Sequence, residues 1–315
     1  MQLPLVLKAR QMGIETHCFA WPEEAVCKDV SDFFYPISIL EKELILDKCR
    51  EISIDGITTI ATDMAVPTIC YVAEHLSLNS NSYSSSIATT NKGAMRTAFV
   101  KGSCSVPNFI KVTNSLERIA DIQFPVIVKP SDRSGSRGVT KIDRKEDLEL
   151  AIKKALEESF EKAALVEQFI EGIEVSVESI SWNGKHTILA ITDKITTNAP
   201  YFVELAHHQP SQLSGEVLTK IKAETIKCLE ALEINYGASH SEFKITKKGD
   251  VYVIEVGARM GGDFIGSHLV PLSTGYDFLK GVIEVALNQF EEPKIIQNNH
   301  SGIYFLSKET EKIMP

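Results

Sequence analysis

The chain has 315 residues, of which 43% are hydrophobic and 24% charged, and this length is sufficient for two or more domains with buried cores. The net charge of −9 argues against extended contact with a nucleic-acid backbone. The sequence has no run of 18 apolar residues and no N-terminal secretion pattern, so we predict a cytoplasmic protein that neither spans nor binds a membrane.

The first hundred residues alternate between helix and strand patterns, which is typical of a parallel sheet wrapped by helices. We therefore predict a parallel α/β N-terminal domain over residues 1–88. This domain opens on a helix, whereas such domains usually begin with a buried strand, so we expect its first strand to be lacking. The predicted elements are helices over residues 2–12, 41–51 and 65–76, and strands over residues 15–21, 32–37 and 56–63.

The polar, Ser-rich segment 79–90 marks the crossing into a second region, which we expect to span residues 89–315. Turn signals at Asn183-Gly184 and at residues 247–250 each separate two strand patterns, so this region is predicted to be α+β with antiparallel sheets. We divide it into a small lid subdomain, residues 89–170, and a larger subdomain, residues 171–315. Its predicted strands are 174–182, 186–193, 240–246 and 251–256, and its predicted helices are 145–158, 214–232 and 275–288.

The stretch FPVIVKPSDRSGSRGV, residues 124–139, ends a buried strand on Lys129 and continues as a loop with almost no apolar residue. Such a lysine can place its ammonium group beside phosphates while backbone N–H groups of the loop close over them. Gly135 and Gly138 permit the close approach that this requires. The loop is not a P-loop motif, and a surface loop beside a snorkelling lysine is the alternative interpretation.

The stretch LVEQFIEGIEVSVESI, residues 165–180, has the pattern of a strand, a turn at Gly172 and a second strand. A hinge of this kind can offer backbone groups to the edge of an adenine ring, and a carboxylate such as Glu174 can accept hydrogen bonds from ribose hydroxyls. Alternatively, Glu174 and Glu178 are solvent-facing members of a half-exposed strand.

The stretch ASHSEFKITKKGDVYVIEVGARMGGDF, residues 238–264, places Glu242 and Glu255 on two strands joined by a short turn. Two carboxylates brought side by side in an apolar sheet are costly unless a cation lies between them. Oxygen ligands suit Mg²⁺, and Arg259 could stabilise the charge of a transferring phosphoryl group. Glutamates that point outward to solvent are the alternative.

In this order, the three stretches resemble the ATP-grasp superfamily, in particular its carboxylate–amine ligases of the L-amino acid ligase type. The resemblance extends from about residue 92 to residue 288 and implies a role for each matching position. For the nucleotide, it implies that Lys92 and Lys129 contact the phosphates and the adenine side, that Glu167, Gln168 and Ile170 border adenine, and that Glu174 holds ribose. The lid would consist of Ser134, Gly135, Ser136 and Gly138. The resemblance also implies that Glu242 and Glu255 bind Mg²⁺, with Mn²⁺ as a substitute, and that Arg259 stabilises the acyl-phosphate transition state.

One position departs from the family pattern, because Gly257 stands where many members have a metal-ligating Asn. Amino-acid ligase-like members tolerate a small residue there. The segment YFVELAHHQPSQL, residues 201–213, resembles a substrate-side loop of the same subgroup and makes His208 a candidate substrate contact. Two adjacent histidines in a loop are more often structural or merely exposed.

The resemblance implies an enzyme that activates a carboxylate as an acyl phosphate with ATP and joins it to an amine, releasing ADP and phosphate. Two alternatives stay open: a bicarbonate-using carboxylase or carbamoyl-phosphate-type enzyme, and a nucleotide-binding protein without catalysis. Expected partners are ATP and small carboxylate and amine substrates, with a homodimer as the default. The six cysteines form no C-x-x-C pair, so their spacing suggests neither a zinc site nor a disulfide framework.

Overall fold

The N-terminal part of the chain combines four helices with a small parallel sheet. The structure is a computed structural model that describes residues 2–113, 119, 122–133, 137–197 and 203–306. Strands β1 (His17–Phe19) and β2 (Phe33–Tyr35) pair in parallel, which confirms the α/β prediction for this region. The surrounding helices are α1 (Leu3–Gln11), α2 (Lys42–Ile52), α3 (Val66–Leu76) and α4 (Tyr83–Thr90).

The prediction of a strand over residues 56–63 is wrong, because this apolar segment has no ladder partner. Its backbone is satisfied by other means: the Gln2 side chain bonds both backbone groups of Ile60, and the Ala61 N–H donates to the Met260 carbonyl at 3.1 Å. Ile60 is nevertheless fully buried. An apolar run indicates burial, but it cannot distinguish a strand from an extended segment held by side chains.

A four-stranded antiparallel sheet follows helix α5 (Lys92–Lys101). Its strand order is β3-β6-β4-β5, and helix α6 (Leu148–Glu158) packs on it through a core that includes Val126, Val128, Ile152 and Ala155. The strands are β3 (Phe109–Val112), β4 (Val126–Pro130), β5 (Thr140–Ile142) and β6 (Ala164–Gln168).

The chain then forms a six-stranded antiparallel sheet with the order β11-β10-β7-β8-β9-β12. One apolar cluster joins this sheet to α5 and α7, and a second joins it to α1 and α9. The antiparallel prediction for this region is confirmed. The elements are β7 (Ile173–Trp182), β8 (Lys185–Thr196), β9 (Glu204–Gln209), α7 (Gly215–Ala231), β10 (Gly237–Ile245), β11 (Val251–Gly257), α8 (Val270–Thr274), α9 (Phe278–Ala286) and β12 (Ser301–Tyr304).

None of the helices in the described ranges is both long and apolar enough to cross a membrane.

The connection between the two antiparallel sheets depends on the absence of a side chain at Gly172. A Cβ atom there would lie 2.1 Å from the carbonyl oxygen of Ile245, a backbone atom that cannot move independently. We expect Gly172→Ala to lower the free energy of unfolding by about 1–3 kcal/mol through overpacking. Thermal or denaturant unfolding measures this change.

Gly215→Ala is the matched control, because a Cβ atom at Gly215, the first residue of α7, would meet no atom within 4 Å. Alanine favours helix over glycine, so this variant should be as stable as the wild type or more stable by up to about 1 kcal/mol. Equal losses in both variants would contradict the packing account.

Candidate active site

The two predicted metal-ligating carboxylates lie side by side on one hairpin. Glu242 of β10 and Glu255 of β11 are direct register partners, and their side chains are 24% and 29% exposed. Their neighbours Phe243 and Val256 point to the opposite face of the sheet and enter its apolar core. The interpretation of these glutamates as isolated surface residues is therefore disfavoured, since the sheet forces the two carboxylates together.

A lysine that the sequence analysis did not single out binds three carboxylates beside this pair. Lys194 Nζ lies 2.7 Å from Glu242, 2.8 Å from Glu204 and 3.1 Å from Glu174. Burial alone would lower the Lys194 pKa, but the three carboxylates outweigh it and raise this pKa well above its ordinary value. Lys194 therefore stays charged at neutral pH, and it faces more negative charge than it can neutralise alone.

His240 adds a second buried cation to the same face of the sheet. Its Nδ1 contacts the carboxylate of Glu178, and its Nε2 lies 3.3 Å from Glu242 Oε1. Burial alone would lower the His240 pKa, but Glu178 outweighs it and raises the pKa to about 9. Glu178 is fully buried and also accepts the N–H of Gly261 at 2.9 Å. Glu178 thus keeps His240 protonated against Glu242 at neutral pH.

Helix α5 connects the carboxylate hairpin to the four-stranded sheet. Lys92, its first residue, places Nζ 2.8 Å from Glu255 Oε1 and donates to the carbonyl of Arg133 at 2.7 Å. The side chain of Asn91 caps the helix by accepting the N–H of Ala94. This cap fixes the start of the helix, and with it the position of the Lys92 ammonium group.

Arg96 lies one turn after Lys92 and is fully buried. Its Nε and Nη2 donate to the two carboxylate oxygens of Glu167 at 2.7 and 3.2 Å, and Nη2 also donates to the carbonyl of Ile254 at 2.7 Å. Lys129 Nζ lies 2.6 Å from the same Glu167 carboxylate. Burial opposes ionisation of Glu167, but Arg96 and Lys129 outweigh it and hold its pKa at about 2. Two cations thus share one carboxylate at the end of β4.

Arg259 is held by an acidic residue from the N-terminal region. Its Nε and Nη2 donate to the two oxygens of Asp63 at 2.8 and 3.0 Å, in the bidentate geometry that suits a guanidinium. A Cβ atom at Gly257 would lie 2.8 Å from Asp63 Oδ1 and 3.2 Å from Arg259 Nε. The Asp63–Arg259 pair therefore occupies the space that an Asn side chain at this position needs, which gives a physical reason for the glycine.

The remaining predicted nucleotide contacts border the connection between β6 and β7. Gln168 ends β6, Ile170 is buried, and Glu174 lies 3.0 Å from Lys244 in addition to its contact with Lys194. Gly138 has a φ of +69°, which favours glycine. Ser134, Gly135 and Ser136 of the predicted lid lie outside the described residues.

The two adjacent histidines of β9 point to opposite faces. His208, the predicted substrate contact, is placed away from Lys194, and its Nε2 lies 2.6 Å from the Tyr304 hydroxyl. His207 is the register partner of Lys194 and is fully buried, with Nε2 3.1 Å from Glu204 Oε2. Its Nδ1 has no hydrogen-bond partner among the described residues. The geometry thus brings His207, rather than His208, to the carboxylate cluster.

Glu204, His207 and Asp263 each offer one ligand-type atom, and these atoms lie within 4.8 Å of one another. Burial opposes ionisation of Glu204, but the hydrogen bond from His207 and the charge of Lys194 hold its pKa at about 2. Burial and the neighbouring Glu204 raise the pKa of Asp263. This corner therefore offers acceptor oxygens beside Lys194.

Several residues of this network were missed from the sequence, and a signal existed for one of them. Lys194 interrupts the apolar run ILAITDKIT, just as Glu255 interrupts VYVIEV. Asp63 pairs with a residue 196 positions later, so no local pattern could reveal it. Glu178 was identified only as a member of a half-exposed strand, whereas it is fully buried.

The arrangement fits a polyphosphate accompanied by a divalent cation. The Glu242–Glu255 pair supplies adjacent oxygen ligands of the kind that Mg²⁺ prefers. Lys92 and Lys194 hold ammonium groups against these carboxylates. Lys129 lies in the four-stranded sheet, where it shares Glu167 with Arg96 of α5. This arrangement of cations and carboxylates suits a ligand that has both negatively charged phosphates and a bound metal cation.

Comparison with known proteins places this arrangement in a family. Residues 122–267 match the ATP-grasp domain. The chain is 28% identical over 273 residues to the alanine–anticapsin ligase of Bacillus subtilis, which covers 75% of this chain and 57% of that ligase. It is also 30% identical over 149 residues to the D-alanine–D-alanine ligase of Flavobacterium johnsoniae, which covers 45% of each protein. The chain thus spans about half the length of these relatives.

Among solved structures, the L-amino acid ligase from Bacillus licheniformis superposes with a TM-score of 0.83 at 27% identity, covering 95% of this chain and 76% of that one. The domain match and these similarities agree with the resemblance seen in the sequence. Residues 122–267 therefore carry an ATP-grasp domain, and nearly the whole chain shares its fold with this ligase structure.

Proposed function

We propose that the chain is an ATP-dependent carboxylate–amine ligase that activates a carboxylate as an acyl phosphate and joins it to an amine. The observation that carries the proposal is the separation of charge across the site. Lys129 and Arg96 share the single carboxylate of Glu167, whereas Lys194 contacts three glutamates, of which Glu174 also pairs with Lys244 and Glu242 lies beside His240. A triphosphate that carries a divalent cation complements both the cation-rich end at Glu167 and the glutamate-rich end at Lys194.

The nucleotide phosphates are proposed to contact Lys129 and Lys92, with adenine beside Gln168 and Ile170 and ribose beside Glu174. Glu242 and Glu255 are proposed to hold Mg²⁺, with Mn²⁺ as a substitute, which when bound neutralises phosphate charge. Carboxylates engaged in this way no longer neutralise the two nearby ammonium groups. Lys92 then becomes available to phosphate oxygens, whereas Lys194 loses one of its three carboxylate partners and keeps Glu174 and Glu204.

The chemistry needs positioning and charge compensation more than covalent participation of the protein. The substrate carboxylate attacks the γ-phosphorus of ATP, the bond to the β-phosphate oxygen breaks, and ADP leaves. The amine then attacks the acyl carbon, phosphate leaves, and the nitrogen loses a proton. Arg259, fixed by Asp63, is proposed to stabilise the negative charge of the acyl-phosphate step.

The amine is proposed to bind at the corner formed by Glu204, His207 and Asp263. Two carboxylic side chains and an imidazole can bind an ammonium group and accept the proton that the attacking nitrogen releases. Lys194 keeps Glu204 in place from the phosphate side. A small amino acid with a free amino group suits this set of acceptors, and His207 replaces His208 as the proposed substrate contact.

Three further expectations stay proposals. We propose the division into residues 1–88 and 89–315, with the lid subdomain ending at residue 170, and we propose a cytoplasmic location. A homodimer is the default assembly.

The deciding experiment for the proposal measures ADP release from ATP and Mg²⁺ in the presence of amino acids, singly and in pairs. Release that requires both a carboxylate and an amine supports ligase activity. Release with bicarbonate alone would instead support the carboxylase alternative, and ATP binding without release would support a non-catalytic nucleotide-binding protein.

Lys129→Met tests the nucleotide site within the same assay. Because Arg96 still pairs with Glu167 in this variant, we expect it to fold while ADP release falls about 100-fold or more. Lys185→Met is the control, since the exposed Lys185 at the start of β8 pairs with the exposed Glu292. Full turnover in a folded Lys129→Met protein would overturn the assignment.

The neighbouring histidines form a matched pair for the amine side. We expect His207→Ala to lower amine-dependent ADP release about 100-fold, because it removes the proposed proton acceptor. His208→Ala should leave the rate near that of the wild type, since the His208 ring faces Tyr304. Steady-state kinetics at varied amine concentration distinguishes them, and a larger loss in His208→Ala would contradict the proposed orientation.

A further inference from the structure

A second cluster of ligand-type side chains lies apart from the proposed active site, at the contact between the end of α5 and helix α7. Cys104, Glu224 and Cys228 each offer one ligand atom, and these three atoms lie within 4.8 Å of one another. All three residues are buried, with exposed fractions of 8%, 9% and 0%. Both cysteines belong to the apolar cluster on the face of the six-stranded sheet that lies opposite Glu242.

The fold brings the three side chains together by close packing of two helices. Glu224 and Cys228 are four residues apart on α7 and therefore share one face of it. Gly102 follows α5, and a Cβ atom there would lie 2.4 Å from the Cβ of Ala231. This close approach places Cys104 against α7, where the N–H of the next residue, Ser105, donates to the Glu224 carboxylate. The cluster is thus fixed by backbone as well as side-chain contacts.

We propose that Cys104, Glu224 and Cys228 form a binding site for a thiophilic divalent cation of the Zn²⁺ class. Two sulfur donors and one carboxylate oxygen suit such an ion, which accepts thiolate, imidazole and carboxylate ligands. Three protein ligands leave one position of a tetrahedral ion to water. The separation of the ligands along the chain explains why cysteine spacing gave no sign of a zinc site.

The charges of the cluster balance when such an ion is bound. Binding releases one proton from each thiol to the buffer, which leaves two thiolates and one carboxylate. The Lys227 ammonium group lies 3.0 Å from Glu224, so this cation and a divalent ion together neutralise the three negative charges. Lys227 and Glu224 retain side-chain exposures of 44% and 11%, which gives the ion a route from solvent.

The proposed ion would join the end of α5 to α7 and would support the helix that carries Lys92 and Arg96. This role does not depend on the proposed ligase activity, because the cluster shares no residue with the nucleotide site. Two other buried cysteines give a contrast, because Cys49 and Cys70 belong to no ligand-type cluster among the described residues.

The test is a titration of the reduced, metal-free protein with Cd²⁺, a spectroscopic substitute for Zn²⁺, without nucleotide. We expect one ion per chain, detected by ultraviolet thiolate-to-metal charge-transfer absorbance. Single Cys104→Ser and Cys228→Ser variants should weaken this binding at least about tenfold, and Glu224→Gln should weaken it as well. Cys49→Ser and Glu216→Gln, a change at an exposed carboxylate of the same helix α7, are controls that should leave the absorbance unchanged.

A second measurement avoids dependence on variants that fold poorly. Alkylation of the wild-type protein, followed by mass spectrometry, should show slower modification of Cys104 when Zn²⁺ is present. Cys18, which is partly exposed, is the internal reference and should react at an unchanged rate. The proposal is overturned if no charge-transfer absorbance develops, if it persists in Cys104→Ser, or if Zn²⁺ fails to protect Cys104.

Discussion

The buried guanidinium of Arg96 is the interaction on which the rest of the site depends. It binds both oxygens of Glu167 in the four-stranded sheet and the carbonyl of Ile254 in the six-stranded sheet, so one side chain fixes the relative position of the two layers. Ile254 directly precedes Glu255, and Lys92, one turn before Arg96 on α5, binds that carboxylate. A single capped helix thereby sets the distance between Glu167 and the Glu242–Glu255 pair. An uncompensated charge at this depth would be costly, so the contacts of Arg96 are structurally obligatory.

Cations and carboxylates are distributed unevenly between the two antiparallel sheets. At the end of β4, Lys129 and Arg96 share one carboxylate, whereas at the centre of the six-stranded sheet Lys194 faces three. Without a ligand, Lys92 and Lys194 pair with the two carboxylates that we propose as metal ligands. A ligand with both phosphate and divalent charge can satisfy them in a different pairing. Arg259 is likewise held by a carboxylate, because its guanidinium group donates two hydrogen bonds to Asp63 of the N-terminal region.

The sequence predicted the parts of this site that are determined locally. A short turn between two strand patterns was enough to predict the hairpin that carries Glu242 and Glu255, whereas their direct pairing depends on a register shift between Glu242 and Phe243. No short sequence pattern shows which residues of β9 face Lys194. The choice between His207 and His208 depended on the register between β8 and β9, which pairs His207 with Lys194. Lys194 was missed for a related reason: its three partners come from three different strands. Local chemistry was therefore readable, whereas the pairing of distant strands was not.

The central claim is that Glu242 and Glu255 hold a divalent cation on the nucleotide, and that without it they neutralise Lys92 and Lys194. The most direct test measures the affinity for a non-hydrolysable ATP analogue, with Mg²⁺ and with a chelator, in the wild type and in a Glu242→Gln, Glu255→Gln double variant. The account predicts that Mg²⁺ strengthens binding in the wild type only, and that the double variant binds the metal-free analogue more tightly because Lys92 is released from Glu255. An equal effect of Mg²⁺ in both proteins would contradict it.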